Sequence, residues 1–137
     1  VGRTYSNPVI HENCPDPSDI KAPDGYYYVY STQDNLPGDT QYLPIHRSRD
    51  LVHWEKVGTV FNDYDRPRWV STARLWAPDI NLIDGKYVLY YAMGVWGGTY
   101  QSAIGVAVAD NPAGPFTDHG KVLDYASEGV NNSIDEF

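Results

Sequence analysis

The stretch Asp19-Ile20-Lys21-Ala22-Pro23-Asp24-Gly25-Tyr26-Tyr27-Tyr28-Val29-Tyr30 returns sixty residues later (79 − 19 = 60) as Asp79-Ile80-Asn81-Leu82-Ile83-Asp84-Gly85-Lys86-Tyr87-Val88-Leu89-Tyr90. Six positions coincide: an Asp-Ile pair, an Asp-Gly pair after three variable residues, and tyrosines two and five residues past the glycine. A unit that cannot bury its own apolar face stacks on neighbours of the same shape, so a repeat of this length reads as an array of supersecondary units. Asp-Gly accepts the positive φ of a tight turn, and each copy therefore opens with a hairpin.

Outward from the two hairpins, the segments 26–32, 43–48, 55–61, 87–93 and 103–109 are short, rich in Tyr, Val and Ile, and partly alternating, as strands are. Residues 48–54 link a third strand to a fourth in the first unit, and residues 110–116 have the same place in the second. No stretch carries a capped helical period, and ten prolines with twelve glycines suit many short connections. Four strands in a meander, repeated, is the sequence form of a β-propeller blade. The expected organisation is blade one at about 17–61, blade two at about 77–123 and a third beginning near Ser133. Residues 62–75 would be a loop inserted between the first two. Two blades and a strand would leave sheet faces open to water, so the rest of a ring is expected from elsewhere in the protein or from another chain.

Composition narrows the partners. With 137 residues, 42% hydrophobic, twelve tyrosines and four tryptophans, the chain can build a core. Its net charge of −8 argues against nucleic acid or an anionic membrane, both of which are bound through basic surface. A neutral polymer such as a glycan fits better. The single cysteine, Cys14, excludes an internal disulfide framework. Neither a signal peptide nor a membrane span is recognisable.

The motifs Asn13-Cys14-Pro15-Asp16-Pro17-Ser18, the 48–54 turn, Leu75-Trp76-Ala77-Pro78-Asp79-Ile80, 102–107 and Asn132-Ser133-Ile134-Asp135 occur in the order seen in glycoside hydrolase family 43. The chain resembles the N-terminal portion of such an enzyme. That resemblance implies an all-β, five-bladed propeller that hydrolyses arabinose- or xylose-containing polysaccharides with inversion. It also implies a secreted, periplasmic or cell-surface location. By the same resemblance Asp16 matches the general base and Asp135 the aspartate that modulates the pKa of the acid. Asp79 matches a residue at the active-site end of the second blade. The general acid, a glutamate, would lie past the end of this chain, which alone is then expected to be inactive. At the position after Asp135, many relatives have proline where this chain has Glu136.

Other readings of these residues stand beside the resemblance. Asp16 before Pro17 suits a plain turn, and Asp79 suits a strand entry that caps backbone amides. Trp76 and Trp96 offer flat faces for the C–H face of a sugar, whereas Trp54 reads as a structural turn residue. The pairs Tyr27/Tyr28 and Tyr90/Tyr91 are expected in the core between sheets. His11, His46, His53 and His119 show no ligand spacing with Cys14, so no metal site and no cofactor are expected here. The resemblance would allow an ion in the central channel of a complete domain. Cys14 reads as a packing residue, and Asn131-Asn132-Ser133 is a glycosylation sequon. Two other classes of function stay open: a non-catalytic carbohydrate-binding or assembly module, and a retaining fructan or sucrose hydrolase of a related propeller family.

Overall fold

The computed structural model describes residue 2 and residues 4–69, 73–97 and 102–124. Asp135, the sequon and the expected third blade lie outside the described residues. Among those described there is no helix, and nine strands follow in order: β1 (Ser18–Lys21), β2 (Tyr27–Tyr30), β3 (Asp34–Leu36), β4 (Asp39–Ser48), β5 (Glu55–Phe61), β6 (Arg74–Ile83), β7 (Lys86–Gly94), β8 (Ala103–Ala109) and β9 (Thr117–Asp124). They form two antiparallel sheets. The second is a plain meander, β6-β7-β8-β9. The first has the meander β1-β2-β4-β5, with β3 added beside the early part of β4. Its third strand is thus longer than the alternation predicts. The turn around Pro37 and Gly38 folds β3 back so that Asp34 to Leu36 pair with Asp39 to Gln41.

The two Asp-Gly hairpins differ in construction. Asp84 and Gly85 both have positive φ (49° and 76°) and form a two-residue turn between the paired Ile83 and Lys86. The first turn is longer, because Pro23 cannot donate to a ladder and the last pair is Lys21 with Tyr27. There Asp24 accepts hydrogen bonds from the Tyr26 amide at 2.9 Å and the Tyr28 hydroxyl at 2.7 Å. The difference shifts the repeat by one residue. Ile20 faces Tyr28, while Ile80 faces Leu89, so the counterpart of Tyr30 is Tyr91 and not Tyr90. A one-residue slip in a strand exchanges its faces. Accordingly Tyr30 and Tyr91 are fully buried, and Tyr90 is half-buried. Of the two tyrosine pairs expected in the core, one member of each is there: Tyr28 and Tyr91.

A single apolar cluster drawn from both sheets forms the core. Phe61 of the first sheet meets Tyr91 of the second edge-on at 5.4 Å, and Tyr30 meets Phe116 edge-on at 6.2 Å. Both buried phenols find acceptors: Tyr30 reaches across this layer to the Pro112 carbonyl, and Tyr91 donates within its own sheet to Asp118 of β9 at 2.6 Å. Burial pushes both phenols far above their ordinary pKa, which keeps the donating proton in place. The inter-sheet loop contributes Trp69, stacked on Tyr91 at 5.7 Å. Only glycine fits beneath this pair at position 105, since a Cβ there would lie 2.4 Å from Trp69 and 2.5 Å from Tyr91.

Candidate active site

Where β1 and β6 run side by side, the chain departs from regular strand geometry in both sheets. Asp16, just before β1, has φ 46°, and Ala77, within β6, has φ 42°. Each precedes a proline. Positive φ is uncommon for residues with a side chain and costs on the order of 1–3 kcal/mol, so it persists only where neighbours hold it. In β6 the cause is visible in the register. Trp76 faces Ala92 and Asp79 faces Tyr90, which leaves Ala77 and Pro78 together opposite Tyr91. This is a β-bulge, a device that re-aims the side chains on either side of it. Proline, lacking an amide proton, is tolerated at such an unpaired position.

The two irregular segments enclose a cleft of about 400 Å3, lined by Asp16, Pro17, Ser18 and Asp19 from the first sheet and by Ala77, Pro78, Asp79 and Ile80 from the second. Three carboxylates and no cationic side chain line it. Two hydroxyls bridge the seam. Thr32 donates to Asp16 Oδ2 at 3.1 Å and accepts from the Ala77 amide at 2.9 Å. Ser18 donates to Asp79 Oδ1 at 3.5 Å and accepts from the Ile80 amide at 3.1 Å. Asp79 Oδ2 also accepts from Asn81 at 3.1 Å. Just below, Gln33 ties the sheets further: its amide bonds the Leu75 carbonyl at 3.0 Å, its side chain accepts from the Leu75 amide at 3.0 Å, and its carbonyl accepts from Arg74 at 3.0 Å.

Of the residues singled out from sequence, Asp16 and Asp79 therefore come together in one cleft. Trp76 and Trp96 form their own pair, edge to face at 6.3 Å, and neither lines the cleft. Trp76 is half-buried against Gly94, where a Cβ would come within 2.8 Å of its ring, while Trp96 is 90% exposed. Trp54 is a turn residue, its indole donating to the Leu51 carbonyl at 3.1 Å. Cys14 is half-buried, and burial pushes its thiol pKa up, which leaves it a poor nucleophile. Among the described residues no group of three or more His, Cys, Asp or Glu side chains could hold a metal ion.

Thr32 and Gln33 carry no signal in the sequence, because the partners through which they brace the site lie 16 to 45 positions away along the chain. Ser18 was visible only as the last letter of the Asp-Pro-Ser motif.

Comparison with known proteins gives the cleft a context. The family model described as glycosyl hydrolases family 43 matches residues 5–137. An α-L-arabinofuranosidase acting at non-reducing ends, from Bacteroides ovatus, is 34% identical over 85% of this chain and 22% of its own length. An extracellular endo-α-(1→5)-L-arabinanase from Thermotoga petrophila is 32% identical over 88% of this chain and 25% of its own. β-Xylosidases are also among the relatives. The solved structure of the native Bacillus subtilis arabinanase superposes with a TM-score of 0.74 at 30% identity, covering 91% of this chain and 43% of that one. The chain thus spans about a quarter or less of these two curated relatives and under half of the solved arabinanase. The repeat read from sequence, the two stacked meanders and the match along nearly the whole chain have one source: this chain belongs to glycosyl hydrolases family 43 and forms part of its five-bladed β-propeller.

Proposed function

We propose that this chain carries the general-base side of an inverting glycosidase site acting on arabinose- or xylose-containing plant polysaccharides. The observation behind this reading is the cleft at the seam, where Asp16 and Asp79 from neighbouring sheets meet on irregular backbone braced by hydroxyls. Asp16 is the general base. Its carboxylate takes a proton from water as the water oxygen bonds to the anomeric carbon, on the face opposite the leaving group. The glycosidic C–O bond breaks on the other face, and the leaving oxygen receives a proton from a carboxylic acid roughly 6.5–9.5 Å from the base. That acid is a glutamate of a later blade. Asp135 raises the pKa of this acid through like charge, and Asp79 binds sugar hydroxyls at the cleft wall. Trp76 and Trp96 form an aromatic platform for a sugar unit outside the cleft, with the exposed Trp96 ring as the stacking face.

The step uses two carboxyl groups and water and calls for no cofactor. Without the remaining blades the chain is inactive, and the complete protein is secreted, in keeping with the extracellular relatives. Proton NMR of the first product released from 1,5-α-arabino-oligosaccharides or xylo-oligosaccharides by the complete protein tests the reaction class. Inversion of the anomeric centre is expected. Retention would replace this reading with the nucleophilic mechanism of the fructan-cleaving propellers, and absence of turnover on both substrates would favour a binding module.

A further inference from the structure

We infer that Thr32 is a positioning residue for Asp16, an inference that rests on the reading of Asp16 as the base. Thr32 is 9% exposed and lies two residues past the end of β2, and it holds three neighbours at once. Its amide donates to the Pro15 carbonyl at 3.1 Å, its hydroxyl donates to Asp16 Oδ2 at 3.1 Å, and the same hydroxyl accepts from the Ala77 amide at 2.9 Å. The direction of these bonds is fixed by chemistry. A backbone N–H can only donate, so it occupies a lone pair of the hydroxyl, and the hydroxyl's one proton is left to face the carboxylate. Among the described residues this is the one hydrogen bond that the Asp16 side chain receives. Oδ2 is thereby committed to Thr32, and Oδ1 is the oxygen left for water.

The placement also explains how two strained residues coexist. Asp16 (φ 46°) and Ala77 (φ 42°) lie on different sheets, and the Thr32 hydroxyl is the atom that bonds both. A β-branched side chain has few χ1 choices, so a threonine holds that atom more firmly than a serine would. Docking of the two sheets and orientation of the base are in this way one event.

The test compares Thr32→Val, which keeps shape and loses the hydroxyl, with Thr32→Ser, in the complete enzyme, alongside Asp16→Asn. Misplacement of a catalytic group by about 1 Å costs up to ~100-fold, so T32V should lower kcat about ten- to hundredfold while KM stays within about twofold. T32S should restore kcat to within about threefold of the parent. T32V with parental kcat, or a loss carried by KM, or a loss that T32S does not restore, overturns the inference. If T32V proves unfolded at the assay temperature, Thr32→Cys takes its place: the thiol is a weak donor, and a parental kcat would again overturn the inference. Substantial turnover by D16N, whatever Thr32 does, would instead remove the reading of Asp16 as the base.

Discussion

At the scale of single residues, two of the five described non-glycine residues with positive φ stand where chemistry is proposed. Asp16 and Ala77 have positive φ and line the same cleft, and each is followed by a proline that was legible in the sequence. What was not legible is the support. Thr32, Ser18 and Gln33 each also bond residues of the second sheet 41 to 62 positions away, and no local pattern announces such a bond. Trp69 is a similar case: it reads as part of an inserted loop, yet it stacks on the buried Tyr91. Gly105 lies beneath both rings, and this leads to a quantitative expectation. Gly105→Ala would force a methyl to within 2.5 Å of Tyr91 and should destabilise the domain by about 1–3 kcal/mol, the usual cost of overpacking. Chemical denaturation of the variant checks this, and an unchanged midpoint would contradict the packing described. Tyr91→Phe should cost about 1.5–3 kcal/mol in the same assay, because it removes the phenol that donates to Asp118.

At the scale of elements, alternation and turn chemistry named five of the nine described strands and left out β3 and the ten-residue β6. The five segments read from sequence correspond to β2, β4, β5, β7 and β8. The short β1 and the edge strand β9 were weaker signals, because four residues or a polar run such as Thr117-Asp118-His119-Gly120-Lys121 show little hydrophobic periodicity. The tyrosine repeat misled by one residue, since Pro23 lengthens the first hairpin and the offset of sixty holds only up to that turn. Residues 48–54 form a connection organised by one carboxylate. Asp50 accepts from Ser48 at 3.0 Å, from the amides of Val52 and His53 at 2.9 and 2.8 Å, and pairs with the His53 ring at 2.6 Å. The His53 ring, followed by these amides, holds the Asp50 carboxyl well below the usual carboxylate range. A carboxylate with a depressed folded-state pKa stabilises the fold above its unfolded pKa, and that contribution is lost as pH falls through the folded value. Asp50→Asn should therefore lower the thermal midpoint at neutral pH, and the gap from the parent should close as pH drops below about 4. Differential scanning calorimetry from pH 7 to pH 2 reads this directly; a gap that is constant with pH would show that the charge of Asp50 has no part in the turn.

At the scale of the whole molecule, core and site meet at the seam between the two sheets. Below it lies the shared core, in which Phe61 and Tyr91 pack edge-on at 5.4 Å, and along it lies the cleft with its hydroxyl bridges. Core and site adjoin: Ile80 belongs to both, and Tyr91 of the core sits opposite the bulge that shapes the cleft wall. Phe61→Ala should accordingly cost about 3–5 kcal/mol and lower turnover of the complete enzyme, whereas a substitution at the exposed Tyr64 should leave both within error. The array, the all-β class and the family could be read from the sequence because each is written in local motifs that occur in order. The partnership of Asp16 and Asp79 could be anticipated only through the resemblance, since the chain separates them by 63 positions (79 − 16 = 63). Asp135 lies outside the described residues, and its part in the site is a proposal that only the complete protein can test. Asp16 at this seam is proposed as the base that activates water. Its most direct test is the kcat of Asp16→Asn on 1,5-α-arabino-oligosaccharides or xylo-oligosaccharides, measured in the complete protein with the thermal midpoint as a check of folding. A loss of about 10²–10⁴-fold, the usual contribution of a positioned base, is expected with the midpoint unchanged; turnover within tenfold of the parent would remove Asp16 from that role.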